Sequence, residues 1–211
     1  MMPPIHHATI ATEEHIIRPT RVEVHVARLR HNFHLIKERV NGAKMMPILK
    51  ANAYGHGLVR VAQLMQELGA DYIGVAVLEE GILLRHSGIT IPILVMGGVL
   101  GNQVPHFIEY DLTITASSID KLKNINQAAA SLGKTAKVHL KIDTGMERIG
   151  VHYYNAERFL RETAQSPHVN VEGIFTHFAN ADAADQTHVR LQLQRFQEVL
   201  GLYDTLNMAR P

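Results

Sequence analysis

The amino-acid sequence predicts an α/β protein in which short apolar strands alternate with helices and form a parallel sheet. Two observations support this fold class. The apolar runs are short and rich in β-branched residues, and the helical segments between them end on Gly or Asn. The strand–helix unit also recurs roughly every 20 to 35 residues, the size of a βαβ unit. Such alternation produces either a doubly wound sheet or a (β/α) barrel.

Six apolar runs are the predicted strands, and a helical segment precedes each of them. The predicted strands are 45–51, 71–78, 91–98, 112–118, 136–145 and 170–178. The predicted helices are 27–41, 58–69, 79–88, 102–111, 119–133, 155–166 and 187–204. In the last helix, apolar residues three and four positions apart predict one buried face, made of Val189, Leu193, Phe196, Leu200 and Tyr203. A barrel of eight units runs to about 250 residues, so this sequence looks about two units short.

The N-terminal segment differs from the repeating part. Residues 1–17 mix Pro, His, Thr and Glu without periodicity and are predicted to be an irregular leader. Residues 18–26 alternate apolar and polar side chains, the pattern of a half-buried strand. The segment has no basic stretch followed by an apolar one, so we expect no signal peptide. No apolar run reaches the ~20 residues that a membrane span needs.

Composition argues against several classes of function. The formal net charge is +1 and no block of Lys and Arg stands out, so neither nucleic acid nor a membrane surface is an expected partner. The sequence has no cysteine, which rules out disulfides and thiolate metal sites. Its 14 histidines are scattered without a paired motif, so no metal centre is expected. The composition fits a soluble cytoplasmic protein.

The predicted fifth strand, 136–145, carries polar side chains on one face. His139, Lys141 and Asp143 alternate with apolar residues, so they point to the opposite side of the sheet. The interior of a structural barrel is normally filled with Val, Ile and Leu, so three polar residues there indicate a site. The alternative is a strand at the sheet edge whose polar face lies in water.

Four candidate site residues lie at or near the predicted carboxyl ends of strands. Lys50 ends the first strand, Lys141 lies near the end of the fifth, Arg148 follows in a Gly-bounded loop, and His177 ends the sixth. Barrels and open α/β sheets both bind ligands at this end. An arginine fork suits a carboxylate or phosphate. Taken singly, each residue also fits a simpler role as a solvated charge or a satisfied polar group.

Three linked motifs resemble the alanine racemase family. They are ILKANAYGHG (48–57), KIDTGMERIG (141–150) and FTHFANAD (175–182), and the similarity covers residues 18 to about 208. The resemblance implies a (β/α)8 barrel of the TIM type, incomplete here with about six units over 27–211. The family's C-terminal β-domain is absent, and strand 18–26 would pair with that domain.

The resemblance implies an activity and roles for five residues. Members are homodimeric isomerases that interconvert L- and D-alanine with pyridoxal 5'-phosphate and supply D-alanine for peptidoglycan. Lys50 would hold the cofactor as an internal aldimine and act as the acid/base on one substrate face. Tyr54 would bind the cofactor phosphate and His177 would lie by its ring. Arg148 would pair with the substrate carboxylate, and Lys141 matches a position that is carbamylated in some members and orients the arginine.

Several family features have no counterpart in this sequence. An asparagine–serine pair, an arginine at the pyridine nitrogen, a Gly-Ile phosphate loop and the tyrosine base of the C-terminal domain are all missing. Racemisation through a planar carbanion needs a base on each face. We therefore expect the isolated chain to be inactive, and poorly stable or oligomeric because its strand edges are unpaired. The alternatives are a cofactor-binding barrel module without racemase activity and a fragment that needs a complementing piece.

Overall fold

The computed structural model describes residues 22–211, and its helices and strands follow the predicted order. The helices are α1 Val26–Arg39, α2 Lys50–Tyr54, α3 Leu58–Glu67, α4 Leu78–His86, α5 Val104–Glu109, α6 Ile119–Ser131, α7 Ala156–Ala164 and α8 Thr187–Thr205. The strands are β1 Ile73–Val75, β2 Ile93–Val95, β3 Thr113–Ala116, β4 Ala136–Asp143, β5 Val151–His152 and β6 Val169–Phe175. The alternation expected from the sequence is confirmed, with two additions. They are the short segment α2, which overlaps the end of the predicted strand 45–51, and the two-residue strand β5.

All strand pairs within the described residues are parallel. Strands β1, β2, β3 and β4 are neighbours in that order, and β6 pairs with the other side of β4. The predicted first strand, 45–51, is reduced to a single parallel bridge between Ile48 and Gly74 next to β1. The short strand β5 pairs only with the carboxyl end of β4. Apart from β5, each new strand joins on the same side of the previous one, as in a barrel. In a doubly wound sheet, by contrast, the side on which successive strands are added reverses at a switch point.

Both faces of the sheet are buried, as expected for parallel strands with near-continuous apolar sequence. Ile73, Val75 and Ile93 lie on one face and Leu94 lies on the other, and all four are fully buried. Strand β4 pairs with β3 on one side and with β6 on the other, so it is not an edge strand. The alternative of a polar face exposed to water on this strand is therefore wrong.

The strand predicted over 18–26 was expected to pair with the family's C-terminal domain, and residues 22–211 do not test it. Residues 18–21, like the predicted leader 1–17, lie outside the described residues. Residues 22–25 have no strand assignment and Val26 already begins α1. Val22 is 84% exposed. A strand needs a hydrogen-bonded neighbour, and no strand within 22–211 pairs with this segment.

The buried face of α8 agrees only in part with the predicted one. Tyr203 is buried as predicted and Phe196 packs against the core, whereas Leu193 is 45% exposed. Gln192 and Val199 are also fully buried, although the apolar spacing did not include them. Although α8 has 19 residues, no helix between residues 22 and 211 is long and apolar enough to cross a membrane.

Candidate active site

A cavity of about 610 Å³ lies at the carboxyl ends of the strands. It brings together all five residues that the sequence singled out, which are Lys50, Tyr54, Lys141, Arg148 and His177. The remaining lining residues are Met46, Ile48, Ala76, Met96, Gly97, Ile149, Phe175 and Thr176. The volume falls in the range of roughly 300 to 1,000 Å³ that is usual for small-molecule sites. A more open depression at the start of α8 is similar in volume but contains none of the five residues.

Lys50 enters the cavity from α2, which is a single turn of left-handed backbone and not a right-handed α-helix. Ala51, Asn52, Ala53 and Tyr54 all have φ between +51° and +56°. Each L-residue in this conformation costs roughly 1–2 kcal/mol, so the surrounding contacts must offset the strain of the turn. One such contact is the Asn52 Oδ1 atom, which accepts the N–H of Leu58 at 2.8 Å. The turn places Lys50 and Tyr54 on the wall of the same cavity.

Lys141 points from the middle of the sheet into the cavity and is only 5% exposed. Its Nζ atom lies 4.7 Å from the centroid of the Phe175 ring. Burial lowers the pKa of Lys141 to about 8, with Asp143 opposing the shift and the positive charge of Arg148 adding to it. About a tenth of this amine is therefore uncharged at pH 7, whereas an ordinary lysine is almost wholly protonated.

The Arg148 loop is built around the carboxylate of Asp143. The Oδ1 atom accepts the N–H groups of Gly145, Met146 and Glu147 at 2.8, 3.0 and 3.2 Å. The Oδ2 atom accepts the N–H of Arg148 itself at 3.1 Å. Burial acts to raise the pKa of Asp143, but these four hydrogen bonds outweigh it and the pKa is lowered. The carboxylate thereby fixes the backbone from which the arginine reaches the cavity.

Replacing Asp143 with asparagine should destabilise the protein by about 1–3 kcal/mol, because the amide nitrogen cannot accept the Arg148 N–H. A carboxylate with a lowered pKa contributes stability above the ordinary aspartate pKa of about 3.9, and this contribution is lost as the pH falls through the lower folded value. Denaturant unfolding should therefore show the gap between wild type and variant closing below about pH 4. Asp120→Asn, at an exposed residue of α6, is the matched control. A variant as stable as the control at neutral pH would contradict this account.

His177 lies at the cavity mouth, and burial lowers its pKa, with Lys141, Arg148 and Lys50 acting in the same direction. The imidazole is therefore mostly neutral at physiological pH. Its loop is held by Gln192 of α8, whose Nε2 atom donates to the carbonyl oxygen of His177 at 3.0 Å. Gln192 is fully buried and also accepts the N–H of Ala179 at 2.9 Å. No local sequence pattern indicates this supporting role, because a lone polar residue in an amphipathic helix normally faces water.

The charge of the cavity determines what it can bind. Its described lining holds two lysines and an arginine but no aspartate or glutamate. Such a cavity favours an anionic ligand, and its apolar walls favour a flat ring. Asp143, Glu147 and His152 have the residue types of a metal site. Both oxygens of Asp143 are already taken by backbone N–H groups, so we assign no metal there.

Comparison with known proteins places the chain in a family. A family model described as the N-terminal domain of alanine racemase matches residues 24–210. The chain belongs to the alanine racemase family. Alanine racemase 2 of Caldanaerobacter subterraneus subsp. tengcongensis is 44% identical to it over 186 residues, covering 87% of this chain and 48% of that relative. The chain thus spans about half the length of the curated alanine racemases it matches.

Solved alanine racemase structures share the fold. The alanine racemase of Clostridium difficile 630 superimposes with a TM-score of 0.83 at 36% identity, covering 87% of this chain and 49% of that one. A histidine racemase from Leuconostoc mesenteroides also matches, with a TM-score of 0.77 at 32% identity over 82% of this chain and 46% of that one. The predicted (β/α) barrel class and the family resemblance are both confirmed.

Proposed function

We propose that the intact protein is a pyridoxal 5'-phosphate-dependent alanine racemase. The observation that carries this proposal is the convergence of Lys50, Tyr54, Lys141, Arg148 and His177 on one cavity, although they come from three separate motifs. Membership of the alanine racemase family supports the reaction and the substrate. We also propose that the protein acts in the cytoplasm as a homodimer and supplies D-alanine for peptidoglycan.

The residues of the cavity fit the cofactor. Lys50 offers a primary amine, and the hydroxyl of Tyr54 can donate to a phosphate at the rim. A β-carbon on Gly97 would lie 2.3 Å from the carbonyl oxygen of Ala76, so glycine permits the close approach of two strand ends on the cavity wall. When bound, pyridoxal phosphate supplies an electron sink for the negative charge on the substrate.

The chemistry of three cavity residues indicates what each contributes to the proposed reaction. The Lys50 amine binds the cofactor and then moves a proton to or from the α-carbon on one face of the substrate. The Arg148 guanidinium binds the substrate carboxylate with two parallel hydrogen bonds and so fixes the orientation of the α-carbon. The neutral His177 contributes a flat surface next to the ring without adding charge.

We propose that Lys141 is carbamylated, because only an uncharged amine reacts with CO₂. The neutral amine adds CO₂ and releases one proton to form the carbamate. Together with the proton lost when the ammonium is deprotonated, two protons leave, and a positive side chain becomes a negative one beside Arg148. With a pKa of about 8, the reactive fraction of Lys141 should rise as the pH increases through that value. Labelling with ¹³C-bicarbonate should give a carbamate signal that grows with pH and is missing in Lys141→Ala. The same signal in that variant would show that the label is elsewhere.

A racemisation assay on the intact protein tests the proposed function. With the cofactor added, L-alanine should be converted to an equal mixture of both enantiomers, and serine should be converted more slowly. Discrimination by one small group is worth about 1–3 kcal/mol, so we expect a serine rate roughly 10- to 200-fold lower. Preferential turnover of a large side chain such as histidine would refute the assignment to alanine. Cofactor binding without racemisation of any amino acid would instead favour a binding module.

A further inference from the structure

We propose that Glu80 is a positioning residue for Lys50. Its carboxylate would hold the left-handed turn that carries Lys50 against the end of strand β1. This inference rests on the proposed function, in which Lys50 is the amine that binds the cofactor. None of the sequence motifs contains Glu80, and its link to the site becomes visible only in the folded chain.

The two oxygens of Glu80 contact two different segments. The Oε1 atom accepts the N–H of Ala51, the residue directly after Lys50, at 2.7 Å. The Oε2 atom accepts the N–H groups of Ala76 and Val77 at 2.8 and 3.4 Å. Ala76 and Lys50 both line the cavity. One carboxylate therefore ties together two neighbouring walls of the site.

The turn needs such a contact because its conformation is strained. Ala51 has φ +54° and is the first of four consecutive non-glycine residues in the left-handed region. It is exposed, so water would compete for its N–H if no acceptor were fixed nearby. Strained backbone persists only where its surroundings hold it, and a charged acceptor makes the stronger hydrogen bond. Loss of the carboxylate would allow the turn to relax and move the Lys50 amine.

A simpler role for Glu80 is that of a helix cap. Glutamate at the third position of a helix often accepts the N–H at the helix start, and Glu80 holds that position in α4. Capping accounts for the Val77 contact, which is the longest of the three. It does not account for Ala51, which lies 29 residues earlier in the chain and outside the helix. The bond to Ala51 is the shortest of the three.

Glu80→Gln separates the two roles in the intact protein. Glutamine is also a suitable cap at this position. Its amide has only one acceptor oxygen, so either the Ala51 side or the Ala76 side loses its partner. We expect pyridoxal phosphate to become trapped on Lys50 by borohydride roughly 10- to 100-fold more slowly in this variant. The thermal midpoint should lie no more than about 4 °C below that of Glu79→Gln, because water can replace the lost acceptor at the exposed Ala51. Glu79→Gln is the control at the neighbouring exposed residue, and trapping should be unchanged in it.

Amide hydrogen exchange of the wild-type protein without cofactor gives a second test, which needs no variant to fold. The Ala51 amide should exchange at least about tenfold more slowly than an unstructured amide, because it is bonded to Glu80. An unprotected Ala51 amide, or trapping on Lys50 at the wild-type rate in Glu80→Gln, would overturn the inference. Failure of the wild type to trap the cofactor would contradict the proposed function instead, and the exchange of Ala51 would still decide the role of Glu80.

Discussion

Lys50→Ala is expected to lower the racemisation rate of the intact protein by at least about 10³-fold, because under the proposed function it removes both the cofactor attachment point and one proton-transfer group. A group that only transfers protons contributes about 10²- to 10⁴-fold, so the loss of both functions should reach at least the middle of that range. The measurement is the appearance of D-alanine from L-alanine, followed by a chiral assay with the cofactor in excess.

Lys44→Ala is the matched control for this variant, since Lys44 is exposed and lies only six positions earlier. It should keep wild-type activity. Both variants should unfold at a similar temperature, because Lys50 makes no hydrogen bond or ion pair that the fold of the described residues depends on. A Lys50→Ala protein with more than about a tenth of wild-type activity would show that a different amine carries the reaction.

Arg148→Lys should lower kcat/KM for alanine by roughly 10- to 100-fold, mainly through a higher KM. Lysine keeps the positive charge but not the planar fork that binds a carboxylate at two points. Losing one charge-assisted hydrogen bond corresponds to about 1.5–3 kcal/mol. Because the carboxylate is bound in both the ground state and the transition state, most of the loss should fall on substrate binding. Steady-state kinetics over a range of alanine concentrations measure both parameters.

The matched control for the arginine is Arg158→Lys, at an exposed residue of α7. It should leave kcat and KM unchanged. An Arg148→Lys protein with normal KM and reduced kcat would mean that the arginine acts on the reacting atoms and not on substrate binding. A variant with both constants unchanged would remove Arg148 from the site altogether.

Local sequence signals predicted most of the fold. Short apolar runs mark the strands, and glycines such as Gly69 and Gly133 mark the ends of helices. Both signals can be read without any knowledge of the tertiary structure. The alternation of polar and apolar residues along β4 correctly placed Lys141 and Asp143 on the face opposite the apolar residues. The strand expected over 18–26 stays a prediction, because alternation describes a face but does not supply a pairing partner.

The parts of the site that the sequence missed depend on long-range contacts. Gln192 supports the His177 loop from α8, and Glu80 reaches the Lys50 turn from α4. Neither residue has a local pattern that distinguishes it from a surface residue. The left-handed turn was also missed, because alanine and tyrosine rarely adopt positive φ and Asn52 alone is a weak signal. The turn lies within ILKANAYGHG (48–57), and this stretch is recognisable only as a complete family motif.

The central claim is that Lys50 is the cofactor-binding lysine, and borohydride reduction of the protein with pyridoxal phosphate tests it most directly. Mapping of the modified peptide should place the cofactor on Lys50. Lys141 is the strongest alternative attachment site for the cofactor, since it lines the same cavity and burial lowers its pKa to about 8. Label on Lys50 in the wild type, and none in Lys50→Ala, is the result that we predict. Label on Lys141 or on any other lysine would contradict the account.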